Sequence, residues 1–247
     1  MLVGVGLGVG VVALVLTGCA ADVEPPAPPA GVDLRSADPA DGNGLWLRSG
    51  ADVTAIVAEA VRAGGGVHVR GSITETVQPD PETEPEPGRT ITLDFHGTAA
   101  AYTASVTAGD VAIEVVVSTD GTRLRGNAAF ARENPGRDAG AVVCTTGLDS
   151  ALAEWSPLLD PAALVSTLLP GAGVGATAPT ADGDTIDVVA GEEGSVVGVL
   201  VVERFGAPLP RSYVAADGTG EAEFTFTGWG DPVDLEAAAE QLPCPAS

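Results

Sequence analysis

The chain is apolar without interruption from Met1 to Leu16, polar and proline-rich to about Gly44, and only then periodic. The first periodic stretch is helical. Val53, Ile56, Val57, Ala60 and Val61 recur at three- and four-residue steps behind Ser49-Gly50-Ala51-Asp52, a helix-opening box with Asp in place of Glu, so a helix is expected over 51–63. Gly64-Gly65-Gly66 ends it. Period-two alternation then takes over. Val67, Val69 and Ile73 share one face while His68, Arg70, Ser72 and Thr74 share the other, the pattern of a half-buried antiparallel strand. Ile91, Leu93 and Phe95 form the apolar phase of a second strand and leave His96 on its polar phase, so both histidines are expected at the solvated surface.

Between these strands lies Pro79-Asp-Pro-Glu-Thr-Glu-Pro-Glu-Pro87, whose like charges repel and whose prolines block pairing, which predicts a long hairpin tip. Further strands are expected over 102–107, over 111–118 with Val111, Ile113, Val115 and Val117 in phase, and over 122–130 with Leu124 and Phe130 in phase. Turns at Ala108-Gly109-Asp110 and Asp120-Gly121 suit hairpins. Residues 136–170 interrupt the meander. They carry a helical stretch over 148–155, around Leu148, Leu152 and Trp155, and a second over 161–169, where Asp160-Pro161 supplies a cap and first-turn proline before Leu164, Val165, Leu168 and Leu169. Strands resume over 185–189, 195–204, 212–216 and 221–227, the last with Phe224 and Phe226 on its apolar phase. From Val196 to Val202 both phases are apolar apart from Gly198, which predicts a strand covered on two sides. The total is about nine strands and three helices, an α+β chain.

With 33 Gly, 19 Pro and 4% aromatic residues in 247, the composition agrees with many short elements joined by turns. The formal charge of −23, without a single lysine, repels polyanions and excludes nucleic acid as a partner; it equally opposes electrostatic docking on anionic lipid headgroups. Catalytic chemistry is not legible. There is no Gly-x-Ser-x-Gly elbow, both histidines fall on polar phases, and carboxylates are too numerous for any pair to stand out. No metal or cofactor is expected, because the cysteines and histidines lack ligand-like spacing. Trp46, Trp155 and Trp229 are expected to pack rather than bind.

The start of the chain carries the sharpest motif. Leu16-Thr17-Gly18-Cys19 resembles a bacterial lipobox, although no Lys or Arg precedes the apolar run. That resemblance implies a signal peptide over 1–18, acylation of Cys19, and a cell-membrane anchor on the extracytoplasmic face. The run itself is shorter than the roughly 20 residues a membrane-spanning helix needs. Residues 19–45 then read as a Pro/Ala/Asp/Gly tether and 46–247 as one folded domain. With Cys19 acylated, Cys144 and Cys244 are left as a pair in an oxidising compartment, and a disulfide between them is expected. The alternative is two separate buried thiols.

The order of parts also resembles a known group. The lipobox, the tether, a helix running into Gly65-Gly66-Val67-His68-Val69-Arg70-Gly71, the strand Thr92-Leu93-Asp94-Phe95, the segment from Thr122 to Phe130, two helices and the closing Phe224-Thr-Phe-Thr-Gly-Trp229-Gly-Asp-Pro-Val233 are similar to actinobacterial lipoproteins of the LppX/LprA/LprF/LprG type. The resemblance implies a curved antiparallel half-barrel sheet with helices on its concave face and an apolar cavity between them, a fold similar to periplasmic lipoprotein carriers. It also implies a lipid or glycolipid ligand and no catalytic residues. On that reading the cavity wall comes from Ile91, Leu93, Phe95, Val111, Ile113, Val115, Val117, Phe224 and Phe226, roofed by Ile56, Val57, Leu164 and Leu168. The alternative is a filled core, which makes the domain a protein-interaction or sensory module with the acidic loop at 79–87 as one contact.

Overall fold

The computed structural model describes residues 42–245 apart from 79, 81, 84–85, 171–172, 193–194 and 217–220. The chain divides into residues 1–36 and 37–247; the apolar start, Cys19 and the tether up to residue 41 lie outside the described residues.

The alternating stretches assemble into one antiparallel sheet, and its strand order explains why helices lie on it. Strands β1 (Val67–Val77), β2 (Glu86–Thr98), β3 (Ala101–Ala108), β4 (Val111–Ser118) and β5 (Gly121–Gly126) form a meander, to which β6 (Val142–Thr145) adds an edge. The chain re-enters at the opposite edge as β7 (Gly175–Ala176). It then returns through β8 (Thr185–Glu192), β9 (Ser195–Glu203) and β10 (Pro210–Ala216) to β11 (Glu221–Thr227), which pairs with β1. The spatial order is β6-β5-β4-β3-β2-β1-β11-β10-β9-β8-β7. The segment linking β6 to β7 must therefore cross the sheet from edge to edge, and it carries α3 (Pro161–Leu168) with it.

Burial separates the two faces. Val67, Val69, Leu93, Phe95, Val106, Ile113, Val115, Leu124, Val188, Leu200, Val202, Phe224 and Phe226 join Val53, Val57 and Val61 of α1 (Gly50–Ala63) and Leu164, Val165 and Leu168 of α3 in one hydrophobic cluster. Side chains of this size contribute roughly 1.5–3 kcal/mol each on full burial, so the inner face between sheet and helices is the main source of stability. Asp160 caps α3 as the sequence predicts, accepting from the N–H groups of Ala162 and Ala163 at 2.9 and 3.2 Å ahead of Pro161. Close packing favours glycine at several strand positions, 71 and 198 among them. A Cβ on Gly71 would strike the backbone and ring of Phe224 and the carbonyl oxygen of Glu223, and one on Gly198 would strike the Tyr213 hydroxyl.

Several elements differ from the sequence reading. There are eleven strands among the described residues, not nine; β6 and β7, of four and two residues, are too short to show alternation. The strand expected over 122–130 stops at Gly126. Asn127 caps a helix, α2 (Ala128–Glu133), by accepting from the Phe130 N–H at 3.0 Å, so Phe130 reaches the core from a helix. The stretch over 148–155 is a 3-10 turn, Ser150–Trp155, that buries Leu152 and Trp155 and leaves Leu148 exposed. Glu86 and Pro87 belong to β2 rather than to the loop. Thr76 stands opposite Pro87 beyond a register shift, and the Arg89 guanidinium donates to Glu75 at 2.8 Å across this extension. The prediction of a strand covered on both sides holds for one side of β9 only. Leu200 and Val202 are buried, whereas Val199 and Val201 on the other phase are half-buried beside an exposed Val214.

A helix absent from the sequence reading, α4 (Leu235–Gln241), covers the outer face of the sheet at β3 and β4. It is held there by the Cys144–Cys244 disulfide, which ties β6 to the C-terminal segment. The Arg123 guanidinium also holds it, donating to the carbonyls of Ala239 and Leu242 at 2.8 and 3.3 Å. Among the described residues no helix is long and apolar enough to cross a membrane.

Candidate ligand site

The strand phases bring the proposed wall residues together. Ile91, Leu93, Phe95, Val111, Ile113, Val115, Val117, Phe224 and Phe226 from three strands, β2, β4 and β11, with Val57, Leu164 and Leu168 from the two helices, all belong to the same cluster. Ile56 does not. It is 36% exposed, because the buried stripe of α1 runs through Val53, Val57, Ala60 and Val61 and turns Ile56 aside. At the centre of the cluster the packing is tight: Val57 and Phe95 are 0% exposed, and Val115, Leu164 and Phe224 are each 1%. A void wide enough for an acyl chain would leave its walls open to a water-sized sphere, so these five side chains meet protein on every side.

Toward the Val77 end of β1 the inner face opens. A cleft of about 200 Å³ lies between α3 and the strands β1, β9, β10 and β11, lined chiefly by Ile73, Leu168, Val197, Tyr213, Ala215 and Ala222 with threonines at its rim. Leu168, Tyr213 and Ala222 belong to the buried cluster and Ile73, Val197 and Ala215 pack against it, so the floor of the cleft is the core itself. The sequence reading missed Tyr213, Ala215 and Ala222, although the Tyr213 phase of β10 was available in the alternation. A second cleft of about 300 Å³ lies where the C-terminal end of α1 meets the turn after β2 and the start of α3, between Arg62, Thr98 and Asp160.

Polar groups on the inner side are few. Thr122 Oγ1 and Trp155 Nε1 are buried without a hydrogen-bond partner in the protein. Tyr102 packs its ring 5.0 Å from that of Phe95, and burial pushes its phenol up to about 12, so it stays neutral at physiological pH. Trp155 is a core residue with the Arg89 guanidinium 5.4 Å from its ring centre; Trp229 stacks on Phe226 and donates from Nε1 to the Pro210 carbonyl at 2.9 Å.

Both histidines stand on the outer, polar face, as their phases predict, and they are direct cross-strand partners. His68 Nε2 is hydrogen-bonded to Asp94 at 2.7 Å, and Arg70 Nε donates to the same carboxylate at 2.9 Å. Among the described residues no group of three or more His, Cys, Asp or Glu is placed to hold a metal ion.

Most of this chain aligns with solved structures of lipoproteins. LprF from Mycobacterium bovis aligns with a TM-score of 0.39 and 16% identity over 80% of this chain and 97% of that one. The Mycobacterium tuberculosis lipoprotein LppX aligns with a TM-score of 0.37 and 15% identity over 73% of this chain and 94% of that one. A putative outer membrane lipoprotein-sorting protein domain from Vibrio parahaemolyticus aligns with a TM-score of 0.22 and 8% identity over 83% of this chain and 98% of that one. LprF and LppX are of the type that the sequence resembles, at long distance. No family model matches the chain. No curated protein matches it either.

Proposed function

We propose that this chain is an extracytoplasmic lipoprotein, acylated at Cys19, whose domain is a non-catalytic binder or carrier of an apolar or lipid-like ligand. In this reading the sheet is a half-barrel, α1 and α3 roof its concave face, and the ligand approaches through the cleft beside Leu168. The observation that supports it is the continuity of that cleft with the buried cluster. An apolar chain laid over Ile73, Val197, Tyr213 and Ala222 touches the core directly. At about 200 Å³ the cleft holds part of one acyl chain. A whole lipid needs at least roughly 300 Å³, so α3 must move away from the sheet to admit one.

Native mass spectrometry of protein extracted from membranes tests the proposal. The expected result is a co-purifying lipid that exchanges with added phospholipid, and loss of that lipid in Leu168→Trp, which fills the cleft. Protein that carries no lipid and takes none up defeats the carrier reading. The second reading is a filled-core interaction module, favoured by the near-zero exposure of Val57, Phe95, Leu164 and Phe224. It predicts that lipid never binds and that the acidic hairpin at 79–87 contributes to partner capture.

A further inference from the structure

The only two histidines of the chain are brought side by side by the β1–β2 register. Their ring centres are 5.3 Å apart. Two imidazoles that share one metal ion, with metal–nitrogen bonds of about 2.0–2.1 Å and angles between square and tetrahedral, place their ring centres about 4.5–5 Å apart. The separation of the two ring centres is thus within about 1 Å of what a shared ion requires. We propose that His68 and His96 form a two-imidazole site on the outer face of the sheet for a divalent transition-metal ion of the copper(II), nickel(II) and zinc(II) class.

Three features support this assignment. Asp94 holds His68 through Nε2 at 2.7 Å, which fixes the tautomer and leaves Nδ1 as the free lone pair, the supporting role that carboxylates play behind metal-bound histidines. The Arg70 cation beside it is compensated by the same Asp94 carboxylate, and the chain as a whole carries −23, which concentrates cations at its surface. The row through the pair continues into Thr227 on one side and Thr103 on the other, and the His68 side chain is 26% exposed. No third His, Cys, Asp or Glu joins the pair as a ligand among the described residues, so water or a second molecule fills the remaining positions and the ion exchanges readily. Copper(II) binds such a site most tightly of the three.

The test is titration of the full chain, without an affinity tag and with Cys19 alkylated, by copper(II). Electron paramagnetic resonance and competition with a chelator of known affinity follow the ion. The expected result is one copper(II) per chain with hyperfine structure from two imidazole nitrogens. His68→Gln and His96→Gln should each lower the affinity by at least the roughly 10- to 100-fold that loss of a supporting partner causes, and Asp94→Asn should fall within that range. A wild-type spectrum with only oxygen ligands or a single nitrogen overturns the proposal, and it does so without any variant having to fold. Glutamine variants with wild-type affinity overturn it as well.

Discussion

The outer face of the sheet is treated differently in its two halves. Over β3 and β4 it is roofed by α4. Val116, on the outer phase of β4, is only 5% exposed, and Leu242 just beyond the helix is 3% exposed. Over β8–β10 the same face carries a row of valines in register, Val189 opposite Val199 and Val199 opposite Val214, and Val214 is 54% exposed. Both halves carry β-branched residues on both phases, so local pattern alone does not distinguish them. The difference lies in the C-terminal segment, which a disulfide and one arginine bind to the first half. Burial of an outer sheet face is here a property of what the chain places over it, not of the strand.

If the disulfide is what keeps α4 in place, its removal has the largest effect. The loop it closes has a sequence separation of 100. In the chain-entropy model such a cross-link stabilises by about 4–5 kcal/mol. The double variant Cys144→Ser, Cys244→Ser should lose most of that in a denaturant titration. Hydrogen exchange should show protection falling first at α4, β3 and β4 while β8–β10 hold theirs. Unchanged stability, or loss that starts at β8–β10, breaks the comparison.

Next in size is the apolar contact under the helix end. Leu242→Ala removes a buried side chain and should cost about 2 kcal/mol, the lower end of the usual range for Leu to Ala, because a C-terminal segment can settle into the space left behind. Chemical denaturation measures it. A cost below about 0.5 kcal/mol would mean that the disulfide and Arg123 hold α4 without help from packing.

Much of this architecture was legible in the residues, and the failures have physical causes. Long alternations such as Val111 to Val117 and Leu93 to Phe95 identified strands and their buried phase, because one face of an antiparallel sheet must be apolar. The edge strands β6 and β7 were too short to alternate. Phe130 stood in phase with Leu124, yet the Asn127 side chain turned the chain into a helix between them. Ile56 fitted the helical spacing of α1, but the face of that helix meeting α3 and the sheet is narrower than its apolar stripe. Among the wall residues the sequence found the strand phases and missed the cleft, since Tyr213 and Ala222 become neighbours of Leu168 only through the crossing of α3. The histidine pair was hidden for a similar reason. Each polar phase is local, but the register that sets His68 opposite His96 belongs to the hairpin.

The smallest expected effect separates the two halves most sharply, because it makes one chemical change on both. Val→Thr conserves shape and β-propensity and substitutes a hydroxyl for a methyl group. At Val116 the hydroxyl is taken out of water beneath Leu242, and an unpaired buried hydroxyl costs roughly 1–3 kcal/mol in proteins. At Val214 the new hydroxyl stays solvated, and surface substitutions of this kind fall within about 0.5 kcal/mol of neutral. Paired denaturant titrations of Val116→Thr and Val214→Thr should therefore differ by at least about 1 kcal/mol, with Val116→Thr the less stable. Equal stabilities would mean that α4 leaves β4 wet. A cost at Val214 as large as that at Val116 would mean instead that the valine row of β8–β10 is covered in solution, by another part of the chain or by a second molecule.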